Sequence, residues 1–273
     1  MPVNAVFIKG IDMSAITPGD EGPRHAPICN VFNEWGIKHL SHSNIDLARN
    51  DLGLWVLRYI FKVYDSPNAA MARGNAVEHG LQVALQGGEF DDPVDEAMRD
   101  FNKRTALGVD GERREKEAAN IGGMVAQARE GMGAAEVVAY QEKIEVEIPG
   151  IDVPVIGYTD FTLEDAIVDL KTTTRLPSAI SASHRRQGAV YQRAAGNKAI
   201  DFLYATPKKH AKYRLENSDA DWLEVCETAL RLQRWLSKFD SKDDLAACAI
   251  PNYDSFYWSS PATREKAREI FGY

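Results

Sequence analysis

The chain has 273 residues, 44% of them hydrophobic, with 40 acidic against 32 basic side chains and a net charge of −8. That length suits one large domain with a sizeable core, and the acidic balance argues against a protein that coats nucleic acid indiscriminately, while leaving room for a local basic groove. Cys29, Cys226 and Cys248 are too few and too scattered for a disulfide framework or a zinc site, no apolar run reaches membrane length, and Met1–Lys9 hold only a short apolar run without a basic leader, so a cytoplasmic protein is expected.

Residues 1–40, with Pro18-Gly19, Gly22-Pro23 and Pro27, read as an irregular arm. Ser41-His42-Ser43-Asn44 then reads as a helix start, with Ser43 or Asn44 as the cap. Leu47, Leu52, Trp55, Leu57, Ile60 and Phe61 keep helical spacing over Ile45–Tyr64, until Ser66-Pro67 breaks it. Further helices are expected over Asn68–Leu85, stopped by Gly87-Gly88, over Pro93–Leu107 and over Glu112–Glu130.

After Gly131-Met132-Gly133 the period changes. Val137–Ile148 alternates like a half-buried strand, Gly150-Ile151-Asp152 makes a turn, and Val153–Leu163 and Ala166–Thr172 give two more strands. Ala166-Ile167-Val168 is continuously apolar, as deep in a sheet. Ser178–Gly196 reads as a helix, Ile200–Ala205 as a strand that Lys212–Leu215 can pair with, Trp222–Phe239 as a helix and Asp243–Cys248 as a short one. The pattern gives an α/β chain with a helical N-terminal portion: an arm at 1–40, a mainly helical part at 41–133, a sheet-containing core at 134–240 and a tail at 241–273.

The chemistry concentrates in about thirty-five residues. Asp169 and Lys171 are two apart on a strand and share a face, and a neighbouring strand can deliver Asp160 to the same space. Two carboxylates, with the backbone carbonyl of Leu170, suit a hard divalent cation such as Mg²⁺ or Mn²⁺. Such a cation beside the Lys171 ammonium suits phosphodiester hydrolysis. An Asp-x-Lys tripeptide alone is more often a surface ion pair, and the context decides.

That context is Gly157-x-x-Asp160, then Asp169-x-Lys171-Thr172-Thr173, then Gln187-x-x-x-Tyr191 with helical spacing. This ordered set resembles the PD-(D/E)XK nuclease superfamily, in its RecB-like and phage lambda exonuclease branch, over residues 138 to about 206. Gly74-Asn75-Ala76-Val77-Glu78 stands where the family carries an upstream helix, and Glu78 is the metal ligand this implies. His79, one step round the helix, is a further candidate ligand against the reading of an idle helix histidine. The resemblance implies a mixed central sheet flanked by helices. It implies catalytic roles for Glu78, Asp160, Asp169, Lys171, Gln187 and Tyr191, with Tyr191 stacking on DNA or donating to phosphate.

His184, Arg185 and Arg186 on the same helix, with Arg175 and Arg193, form the expected DNA-binding set, against a solvated charged face as the bland alternative. The early Cys-Pro and the late cysteine cluster of the iron–sulfur relatives are missing, so no iron–sulfur cluster is expected. The implied activity is digestion of DNA from its ends in phage-type recombination or repair, in a bacterial or phage-infected cell, with a single-strand annealing protein as partner and a homo-oligomer open. An endonuclease, or a silent DNA-end scaffold, remains the alternative.

Overall fold

The computed structural model describes residues 30–65, 68–87, 92–107 and 111–272. The arm over 1–29, Cys29 and the Ser66-Pro67 break therefore lie outside the described residues. The helices are α1 (Val31–Glu34), α2 (His42–Asn50), α3 (Leu52–Tyr59), α4 (Ala69–Gln86), α5 (Pro93–Arg104), α6 (Gly111–Ala118), α7 (Ile121–Met132), α8 (Ala182–Ala194), α9 (Asp219–Leu236), α10 (Lys242–Cys248) and α11 (Pro261–Phe271). The strands are β1 (Ala139–Val146), β2 (Val155–Thr162), β3 (Ala166–Thr172), β4 (Ala199–Ala205) and β5 (His210–Arg214). No helix among the described residues is long and apolar enough to cross a membrane.

The strands form one mixed sheet in the order β1-β2-β3-β4-β5. Only β3 and β4 are parallel, and α8 makes the connection between them, as a parallel pair requires. Two apolar clusters cover the two faces. Ile167 of β3 and Ile200, Phe202 and Tyr204 of β4 belong to the cluster with Val190 and Tyr191 of α8, Ile45 of α2, Trp55 of α3 and Val225 of α9. Phe161, Val168, Leu170, Leu203 and Ala205 belong to the other, with Val77 of α4, Phe101 of α5 and Met124 of α7. Alternating strand residues thus face opposite helical layers, which puts Asp169 and Lys171 on the α8 side.

The expected helix over Ile45–Tyr64 is two helices, because Asp51 interrupts it. Asp51 Oδ1 accepts from the Leu54 amide at 2.9 Å and caps α3, while its other oxygen accepts from the Trp258 indole at 2.7 Å. The cap of α2 is Ser41, not Ser43 or Asn44: its hydroxyl accepts from the Asn44 amide at 3.1 Å. The Glu112–Glu130 stretch also splits, into α6, with no buried residue, and α7, which buries Ile121, Met124, Val125, Ala128 and Met132. Two helices at the ends, α1 and α11, fall where an irregular arm and a C-terminal tail were expected.

Candidate active site

β2 and β3 pair only at Phe161–Val168 and Thr162–Ile167, and then diverge. The divergence frees the edge of β3. Asp160 fills the gap with its side chain: Oδ2 accepts from the Leu170 amide at 2.7 Å. The N–H and C=O of one strand residue point to the same edge, so the Leu170 carbonyl also faces this opening.

On the α8 side, Asp169 is fully buried, at 0% exposure. Its Oδ1 lies 2.5 Å from Lys171 Nζ, and its Oδ2 accepts from Gln187 Nε2 at 2.8 Å. Gln187 Nε2 also donates to the Tyr191 hydroxyl at 2.9 Å, which donates in turn to the Tyr158 carbonyl of β2 at 2.8 Å. This relay ties α8 to both diverging strands, and helical i, i+4 spacing brings Gln187 and Tyr191 into line. Two glycines permit the approach. A Cβ on Gly157 would stand 3.0 Å from Tyr191 Cε1, and one on Gly188 would stand 2.6 Å from Leu215 Cδ2.

Glu78 reaches the site from α4, in the opposite helical layer. Its Oε1 accepts from the Gln141 amide of β1. Arg73, one turn earlier, holds α4 to the end of β3 through the Thr172 carbonyl and hydroxyl, at 3.4 and 3.3 Å.

The acids act on one another electrostatically. Burial, and after it the Asp169 and Glu78 charges, pushes the Asp160 carboxyl well above its usual range. Burial also raises Glu78, against the lowering hydrogen bond from Gln141, with Asp169 adding to the rise. Burial alone would lower the Lys171 pKa, and the Asp169 and Asp160 carboxylates more than reverse it. Lys171 therefore keeps its proton at neutral pH. Beside it, burial takes His184 and His42 down to about 4, so both imidazoles are neutral at pH 7. His184 Nδ1 is 2.7 Å from the Tyr204 hydroxyl.

Three carboxylates against one ammonium leave excess negative charge in a partly buried space. Oxygen donors and unrelieved repulsion are what a hard divalent cation answers. The fit is one of donor chemistry and charge. As placed, no three Asp, Glu, His or Cys side chains among the described residues close into a ready cage. Each acid instead holds a protein partner: Leu170, Lys171 with Gln187, or Gln141.

The structure brings Glu78, Asp160, Asp169, Lys171, Leu170, Gln187 and Tyr191 together, but not the other expected residues. His79 faces Glu96 of α5, with Nε2 3.9 Å from Oε2. Tyr191 is 6% exposed and serves as a strut, which leaves no ring face open to stack on a base. Arg186 turns inward to Asp46 Oδ1, at 2.8 and 2.6 Å, and to Glu224 at 3.2 Å. Arg185 pairs with Asp221 at 2.7 Å, and Arg193 pairs with Asp219. His184 is engaged with Tyr204. Arg175, in the loop after β3, is exposed and forms no ion pair among the described residues. Two residues of the site carry no sequence motif: Gln141 of β1, and Tyr204, which lies within the expected Ile200–Ala205 strand.

No family model matches the chain, and no curated protein matches it either. Among solved structures, it is similar to a "Putative exonuclease" from Eubacterium rectale, at a TM-score of 0.55 and 15% identity over 89% of this chain and 94% of that one. That likeness establishes a shared fold. A crystal structure of SSO0001 matches more weakly, at a TM-score of 0.33 and 13% identity over 78% and 95% of the two chains.

Proposed function

We propose that the protein is a divalent-metal-dependent deoxyribonuclease that hydrolyses phosphodiester bonds from DNA ends. One observation carries the reading: a fully buried Asp169, held by Lys171 and Gln187, adjoins the β2–β3 split that Asp160 fills, and the Glu78 charge acts on both acids. The description of the Eubacterium rectale protein points the same way.

Glu78, Asp160, Asp169 and the Leu170 carbonyl would hold Mg²⁺ or Mn²⁺. Such a cation supplies polarisation of a phosphoryl oxygen and a water acidified toward neutrality. The chain's own residues do the rest. Lys171, kept protonated by its acids, is a cation for charge developing on the phosphate rather than a general base. Gln187 fixes the Asp169 carboxylate, and Tyr191 fixes Gln187. Of the four expected arginines, Arg175 is the one left open to a phosphate of the bound strand, since Arg185, Arg186 and Arg193 are already paired.

The test uses end-labelled linear duplex and single-stranded DNA with Mg²⁺, beside a closed circle. Loss of linear DNA only, abolished by EDTA and by Lys171→Ala, is the expected result. Cutting of the circle would assign an endonuclease instead. DNA binding without any cleavage in Mg²⁺ or Mn²⁺ would make the protein a scaffold.

A further inference from the structure

Gln141 sits in mid-strand with φ at 48°, a left-handed backbone that a glutamine rarely adopts. The strand changes character there. On one side, Ile144 pairs with Gly157 and faces the α8 layer. On the other, Tyr140 pairs with Phe161 and packs into the opposite cluster. The ladder positions opposite each other at the switch are Gln141 and Asp160, and they alone drop out of an otherwise continuous register. The same local twist that frees Asp160 for the Leu170 amide thus aims Gln141 out of the strand, where its amide donates to Glu78, 63 residues away in sequence.

We propose that Gln141 is a positioning residue that sets the Glu78 carboxylate for cation binding, a role that rests on the metal-dependent reading above. Glu78 comes from the helical layer opposite α8, and the Asp169 charge acts on it there. Left to itself, a long acidic side chain there turns to solvent, away from Asp160 and Asp169. A neutral amide counters this without adding charge to the site. Its bond engages Oε1, and among the described hydrogen bonds none is made to Oε2. A partner of this kind around a metal ligand is worth about 10- to 100-fold in metal affinity. Left-handed backbone at a functional site persists only where the surroundings enforce it, and the face switch of β1 and β2 is that enforcement.

Gln141→Gly separates the amide from the backbone, because glycine accepts the left-handed turn and removes only the side chain. Mn²⁺ binding to the full chain, measured by calorimetry without DNA, is the readout. The expected result is a dissociation constant about 10-fold or more above wild type. Gln141→Gly should add nothing in a Glu78→Gln background. Gln141→Asn, which tolerates the same backbone with too short an amide, should behave alike and stands in if the glycine variant unfolds. A wild-type dissociation constant in both variants would overturn the role of Gln141 alone. Wild-type protein that binds no Mn²⁺ would overturn this role and the metal-dependent reading together.

Discussion

At the scale of single residues, the site is a set of charges that do not balance. Burial and mutual repulsion raise the folded-state pKa of Asp160 and Glu78. A carboxyl raised on folding binds its proton more tightly in the folded state, so its contribution to stability falls as pH climbs from the ordinary carboxylate range through the raised value. A divalent cation binds the deprotonated form and reverses this loss. The gain in Tm on adding Mg²⁺ should therefore grow as pH climbs above the ordinary carboxylate range of about 4. A gain that stays flat over that climb would contradict the assignment. Tyr191→Phe tests the strut, since it strands the Tyr158 carbonyl and one bond of Gln187. We expect a loss of about 1–3 kcal/mol in urea denaturation, together with reduced turnover. Unchanged turnover would leave Tyr191 as packing alone.

At the scale of elements, α8 is held to its neighbours by two adjacent arginines, Arg185 and Arg186, that differ in worth. Arg186 and Asp46 are both nearly buried, and Ser183 adds a bond to the second Asp46 oxygen at 2.8 Å. Burial alone would raise the Asp46 pKa, and the Arg186 and Ser183 bonds outweigh it. Removing Arg186 leaves a buried carboxylate without its counter-charge, at a cost of about 3–5 kcal/mol. Arg185 pairs with Asp221 while still a third exposed, so Arg185→Ala should cost under about 1 kcal/mol. Urea unfolding of the two variants checks the contrast, and equal costs would refute it. The sequence placed all five strands and most helices, because strand alternation and helical spacing are properties of neighbours in the chain. It failed where a partner distant in sequence decides. Asp51 ends one helix and caps the next because Trp258, more than two hundred residues on, holds its other oxygen. Nothing in the apolar spacing of 45–64 registers that. Arg185 and Arg186 looked like a phosphate-tracking face for the same reason: their acids, Asp46, Asp221 and Glu224, come from α2 and α9.

At the scale of the whole molecule, the site exists because the sheet opens on one side only. β3 stays paired with β4 along its length, while β2 leaves after two residue pairs. Helical layers on both faces can then each send a carboxylate or an amide into one opening. The shared faces of Asp169 with Lys171 and of Gln187 with Tyr191 were legible in the sequence, because strand and helix periods fix them, whereas Asp160 could only be offered as what a neighbouring strand can deliver. Gln141 was not legible, since its place depends on a change of face that β1 and β2 make together. Crystals grown with Mn²⁺ and measured for its anomalous signal decide whether this opening is a metal centre. A cation held there gives one strong peak within coordination distance of Asp160 and Asp169, with Glu78 turned toward it. An empty opening at millimolar Mn²⁺, or a peak bound elsewhere on the surface, would contradict that assignment.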